Sequence, residues 1–169
     1  NTALGNDALF ANTTASNNVA VGKSALAANT TGAQNTAVGF EAGLSTTTGP
    51  ENTFIGRVAG RTNTTGQDNT FVGSVAGYYN TTGSNNTAVG RNSSFSTTTG
   101  CRNTAIGAGS LKTNTTGDQN VAVGREALGV ATTGDGNTAV GFDSLQANTT
   151  ASFNTAVGTS AMTSLTTGA

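Results

Sequence analysis

The feature that most constrains this chain is a 17-residue unit that occurs ten times in succession without an insertion, the last copy one residue short. Each unit opens with an Asn-headed pentapeptide such as NTAVG, and the units begin at residues 1, 18, 35, 52, 69, 86, 103, 120, 137 and 154. A short fixed period is typical of a solenoid, in which each coil contacts only its neighbours. The sequence therefore predicts one repeat array over residues 1–169.

The first five positions of the unit predict a strand. Position 2 is Thr or Val, position 3 is Ala or Phe, position 4 is Val, Ile or Leu, and position 5 is always Gly. Alternation places positions 2 and 4 on one face of the strand and position 3 on the other. Because both faces are apolar, we expect one to close the coil's interior and the other to meet a second layer or a second chain. The predicted fold class is all-β, a parallel β-solenoid (β-roll) of ten 17-residue coils.

The remaining positions predict a corner, a second segment and an outer turn. The invariant Gly at position 5 indicates a positive φ or a close backbone approach. Positions 7–11 fit a second strand or one helical turn, and positions 12–15, which read NTTG in most units, indicate a turn. All seven basic and all eight acidic residues lie at positions 6, 7, 10, 16 or 17, so these positions are expected to face outward. The ten Asn residues at position 1 are expected to stack as a ladder.

Two positions of the unit exchange volume. Phe replaces Ala at position 3 only as Phe54 and Phe71, and the same two units carry Gly60 and Gly77 at position 9, where six other units have Leu or Met. Since close-packed interiors tolerate volume exchange better than overpacking, positions 3 and 9 are predicted to fill one shared space.

The composition offers little for catalysis. The chain has no His, its carboxylates are scattered singly, and no Gly spacing matches a phosphate loop. We therefore expect no enzyme, no cofactor and no metal site. With a net charge of −1 and no long apolar run, we also expect no nucleic-acid partner and no membrane insertion.

The turn carries candidate modification sites. Six units have an Asn-Thr-Thr sequon at position 12, which would place one stripe of N-glycan acceptors along the rod. The alternative is that Asn serves only the turn; the adjacent Thr residues are alternative sites for O-glycans. The six asparagines are Asn12, Asn29, Asn63, Asn80, Asn114 and Asn148.

Two Thr columns, at positions 13 and 14, run through all ten units, from Thr13 to Thr166 and from Thr14 to Thr167. An ice-binding face is one interpretation. Because an ice-binding ladder needs outward residues separated by an inward one, bonding along the turn stack is favoured for this adjacent pair. A receptor site should instead interrupt the repeat, and Tyr78 and Tyr79, together with Phe71 and Phe95, form the nearest such interruption.

The NTAVG start, the small-residue segment and the Gly turn resemble the YadA-like head repeats of trimeric autotransporter adhesins. They are also similar to NTAVG…NTTG repeats in tail-fibre-like proteins of phages and large viruses. The resemblance covers all ten units. It implies a left-handed parallel β-roll with three chains to a head, which would explain a strand that is apolar on both faces.

These patterns predict a mechanical function outside the cell: a structural subunit or segment of a fibre, or of a surface appendage, with glycans on its outer turns. The expected partners are copies of the same chain, end to end or side by side. The alternative is an adhesin or tail-fibre head that binds a cell-surface receptor or glycan. Because the chain begins without Met and stops at Gly168-Ala169 without a polar cap, we expect a mature product or a piece of a longer fibre.

Overall fold

The structure, a computed structural model, describes residues 1–166. Within this part of the chain, ten three-residue strands form one parallel sheet in chain order, each paired with the next at an offset of 17 residues. The predicted parallel β-solenoid is thereby confirmed. The strands are β1 Thr2–Leu4, β2 Val19–Val21, β3 Thr36–Val38, β4 Thr53–Ile55, β5 Thr70–Val72, β6 Thr87–Val89, β7 Thr104–Ile106, β8 Val121–Val123, β9 Thr138–Val140 and β10 Thr155–Val157.

The two faces of the sheet differ in burial. The middle residue of the strand, at position 3, points into the coil and is buried from β2 to β10. Positions 2 and 4 point outward, and they are half-buried or exposed in every strand. Within the described residues, no other layer of this chain covers the outer face of the sheet. One of the two apolar faces therefore closes the interior, as predicted, and the other lies on the surface.

The Gly at position 5 makes the corner after each strand, for the two reasons that the sequence suggested. At Gly90 the backbone has φ 132°, a region that L side chains rarely adopt. A Cβ at Gly90 would also lie 2.7 Å from the carbonyl carbon and oxygen of Gly107 in the next coil. Only glycine therefore allows successive corners to stack at the spacing of the sheet.

Positions 6–11 form a turn in every coil, neither the strand nor the helical turn considered from the sequence. Positions 7 and 9 both have positive φ, for example 55° at Glu126 and 50° at Leu128. Because positive φ returns at every second residue here, neither a strand nor a helical turn can continue through the segment. The strained residues persist because their N–H groups bond to neighbouring coils, Glu126 to Ala108 O and Leu128 to Ser144 O, both at 3.0 Å.

Hydrogen bonds join each coil to both of its neighbours. In the coil that starts at Asn69, the N–H groups of positions 2, 9, 11 and 13 donate to the following coil, and those of positions 5, 7 and 17 donate to the preceding one. The same pattern recurs along the described chain. These donors are Thr70, Gly77, Tyr79 and Thr81, and Gly73, Val75 and Asn85.

Asparagine at position 1 forms the predicted ladder inside the solenoid. The Asn69 amide is fully buried; its Oδ1 accepts from the Asn86 N–H at 3.0 Å, and its Nδ2 donates to Gly83 O at 2.9 Å. In part of the ladder the amides also bond directly to each other, as Asn69 Nδ2 does to Asn52 Oδ1 at 3.1 Å. The side chain thus ties the strand to the outer turn of its own coil and to the next coil.

The shared space of positions 3 and 9 is confirmed. A Cβ at Gly60 would overlap the ring of Phe54 in the same coil, and one at Gly77 would lie 2.6 Å from Cγ of Phe71. A Cβ at Gly43, one coil earlier, would lie 2.6 Å from the Phe54 ring. Positions 3 and 9 therefore share volume both within one coil and between adjacent coils.

The charged side chains are all exposed or half-buried, as expected from their positions. In the described residues there is no helix with the length and hydropathy of a membrane span.

Candidate surface site

No cavity or cleft opens in the described part of the solenoid, and none of the Cys, Asp or Glu residues there are grouped as metal ligands would be. Any binding must therefore use the outer surface. Three features of that surface bear on function: the turn with its sequons and Thr columns, an aromatic cluster, and the outer face of the sheet.

The six sequon asparagines do not line the surface, so the expectation of an exposed glycan stripe is wrong in its geometry. Five have side chains with no exposure, and the sixth, Asn12, is partly buried. In each, Nδ2 donates to the carbonyl three residues later, for example Asn29 to Gly32 O at 2.9 Å. A glycan on this nitrogen would have to replace the bond and occupy the interior. The five fully buried residues are Asn29, Asn63, Asn80, Asn114 and Asn148.

The two Thr columns have different environments. At position 13 the hydroxyl donates along the axis to the next coil, as Thr64 Oγ1 does to Thr81 O at 2.9 Å. At position 14 the side chains are exposed, as at Thr65. Bonding along the stack, the favoured interpretation, is thus confirmed for position 13. Thr167, Gly168 and Ala169 lie outside the described residues.

The residues that interrupt the repeat do meet on the surface, except for one. Tyr78 and Phe95 stack with ring centroids 5.6 Å apart, and Tyr79 packs edge-on against both, at 4.7 Å and 5.1 Å. Phe71 is buried in the interior and does not belong to this group. Arg61 was missed by the sequence analysis, although it lies 17 residues before Tyr78 and so occupies the same position one coil earlier.

Arg61 and Glu41 add a polar edge to these rings. The Arg61 guanidinium lies 5.7 Å from the Tyr78 ring centroid and donates to the Tyr78 hydroxyl at 3.2 Å. Its Nε donates to Glu41 Oε2 at 2.7 Å, and this bond raises the pKa of Arg61 above its usual value. We call the five side chains the aromatic cluster: Glu41, Arg61, Tyr78, Tyr79 and Phe95.

The outer face of the sheet forms a second continuous surface. At position 4, Val38, Ile55 and Ile106 are about 40 % exposed, and the other residues of this position from β2 to β9 are half-buried. Thr or Val at position 2 runs beside them. This stripe is regular, largely apolar and almost free of charge.

Comparison with the models of known families, with curated proteins and with solved structures gives no match to this chain. The resemblance to adhesin-head and tail-fibre repeats, the left-handed coil and the three-chain assembly therefore stay predictions. What the surface can do is argued below from its own geometry.

Proposed function

We propose that this chain is a structural segment of an extracellular fibre or surface appendage. The observation that carries the proposal is the unbroken series of hydrogen bonds between coils, with the same backbone and Asn bonds repeated along the array. A rod of this construction resists bending and extension because any axial opening must break several parallel bonds at one interface. At ~4.8 Å per coil, ten coils span about 48 Å.

The outer face of the sheet supports lateral assembly with copies of the chain. A stripe about 48 Å long and roughly 10 Å wide offers on the order of 500 Å² per chain, or ~1,000 Å² for a pair. Stable interfaces begin near ~1,000 Å² in total, so a pair lies at the lower limit and a third chain would add to it. The β-branched residues of position 4 would supply the apolar contact.

Electron microscopy of the purified chain tests the shaft. We expect straight rods with an axial repeat near ~4.8 Å, and analytical ultracentrifugation should show more than one chain per particle. Val89→Lys together with Val123→Lys places charges on the outer face and should release single chains. Gln67→Lys together with Thr99→Lys, both exposed in the outer turn, is the matched control with the same two added charges and should leave assembly unchanged. Flexible particles, or monomers in the unmodified chain, would count against the proposal.

A second candidate function, receptor binding, is favoured by the aromatic cluster. The turn segment of a coil folds without a large side chain on its surface. Tyr79 nevertheless places a ring there and leaves 46 % of its surface in solvent. Aromatic residues are enriched where proteins bind partners. Loss of binding to target cells on Tyr78→Ala and Tyr79→Ala, with rods intact, would favour this function over a purely mechanical one.

A further inference from the structure

The side chains of the aromatic cluster are not needed to build their coils. The Tyr79 N–H donates to Phe95 O at 3.0 Å, which is the same bond that Ala11 and Ser45 make at position 11 with their own following coils. At that position the other units carry Ala, Ser, Thr or Val. The rings therefore decorate a backbone that forms without them, and their grouping calls for a reason outside folding.

An aromatic ring fills the interior below Tyr78 and Tyr79. Phe71 fills the coil of the two tyrosines, and it stacks on Phe54, in the coil of Arg61, with ring centroids 5.7 Å apart. Gly77, the small residue that admits Phe71, directly precedes Tyr78 and Tyr79. The two tyrosines thus sit on a coil whose interior is filled by an aromatic ring, so their backbone is held in place before a ligand arrives.

The size of the cluster favours a small ligand over a protein. An aromatic side chain buries 150–250 Å² at most, and less than half of Tyr79 is exposed, so the three rings offer roughly 300 Å² or less. Even the smallest stable protein interfaces bury about 500 Å² per partner. The exposed area suits a molecule that covers two or three rings.

The polar edge defines the chemistry of that molecule. Arg61 and Glu41 neutralise each other, so the pair offers charge-assisted hydrogen bonds without a net charge. The guanidinium presents donors and the carboxylate presents acceptors beside the Tyr78 hydroxyl. A ligand with one apolar face and a rim of hydroxyl groups would use both, since each hydroxyl can donate and accept.

We infer that the aromatic cluster binds a neutral oligosaccharide, with a pyranose C–H face against the exposed rings and its hydroxyls bonded to Arg61 and Glu41. The inference rests on the second candidate function and gives it a ligand class. Because the rings belong to successive coils, the sugar chain runs along the solenoid axis.

Tyrosine fluorescence tests the inference directly, because the chain has no Trp and its two Tyr residues both lie in the cluster. The full chain is titrated with cellohexaose, chitohexaose and maltohexaose, and with a sulfated hexasaccharide at two salt concentrations. We expect saturable binding of at least one neutral probe. Tyr79→Ala should weaken it about tenfold, the order expected for one aromatic contact, while Tyr79→Phe keeps the ring and the affinity. Tyr78 remains as the reporter in both variants.

Phe142→Ala is the matched control, since Phe142 is an exposed ring outside the cluster, and it should leave the affinity unchanged. Absence of binding by every neutral probe, equal affinity of Tyr79→Ala, or salt-sensitive binding of the sulfated probe alone would each overturn the inference. Micrographs keep the two proposals separate. Straight rods that bind no sugar would support the fibre and refute the sugar site, whereas irregular particles that bind sugar would refute the fibre and support the sugar site.

Discussion

Gly60→Leu restores at position 9 the residue that most other coils carry, and we expect it to destabilise the protein. A Cβ at this site would already overlap the Phe54 ring, and the remaining three carbons of Leu have no space. Overpacking of a core costs about 1–3 kcal/mol. The backbone at Gly60 has φ 58°, which adds roughly 1 kcal/mol for a residue with a side chain. The free energy of unfolding should therefore fall by about 2–4 kcal/mol.

The companion variant removes the other partner. Phe54→Ala leaves a cavity under Gly60 and Gly43 and loses the stack on Phe71, at a cost of about 3–5 kcal/mol. The double variant recreates the Ala and Leu combination that Ala122 and Leu128 already form. It should thus be more stable than the sum of the two single variants predicts, by at least about 2 kcal/mol, because Leu fills the cavity.

The assay is chemical denaturation of all four proteins, with circular dichroism and tyrosine fluorescence as separate probes. A repeat array can unfold in parts, so the comparison requires that both probes give the same midpoint. The shared space would be refuted if Gly60→Leu were as stable as the parent. It would also be refuted if the two single losses of stability summed to the loss of the double variant within about 0.5 kcal/mol.

Three further substitutions test the other contacts between coils. Asn69→Ala leaves the buried Asn86 N–H without an acceptor, while Gly83 O keeps its bond from Asn80, so the cost in thermal or chemical unfolding should be about 2 kcal/mol. Gln67→Ala, in the exposed outer turn, should change stability by less than about 0.5 kcal/mol. Gly90→Ala should cost more than about 2 kcal/mol by the same measurement, since its Cβ meets the next corner. Thr64→Val loses its bond along the axis, about 1 kcal/mol, and Thr65→Val loses none; equal effects of the two would contradict the distinction between the columns.

The strand, its faces, the corner and the shared space could all be predicted because each depends on a residue property that the repeat holds fixed. Val and Ile recurring at position 4 favour a strand, and an invariant Gly at position 5 has few explanations. Ten aligned units also act as an internal comparison, which is how Phe54 and Gly60 could be paired without a structure.

The turn at positions 6–11 could not be predicted, because its conformation opposes local preference. Val58 has φ 52° and Leu128 has φ 50°, both unusual for such side chains. Their conformation is imposed by bonds to neighbouring coils, and those bonds have no signal within a single unit.

The burial of the sequon asparagines did have a signal in the sequence. Where position 12 is not Asn, it includes Ala131 and Leu165, and apolar substitutes indicate an interior position better than an exposed one. In the structure Ala131 is fully buried and Leu165 packs against the core. Asn is accepted there because its amide can reach the carbonyl of position 15, as Asn63 does with Gly66 at 3.0 Å.

The distribution of polar and apolar residues shows which surface of the solenoid would gain most from association. The interior is lined by Ala, by bonded Asn amides and by at most one large apolar side chain per coil, Leu or Phe, so each coil buries little apolar surface and depends on its neighbours. The outer face of the sheet keeps its Val and Ile in partial contact with water. Association through that face would remove this surface from water at ~25 cal/mol per Å² and would favour rods of several chains. The aromatic cluster lies in the turn segment, not on the sheet face, so a shaft assembled in this way would still present Tyr79 to a ligand.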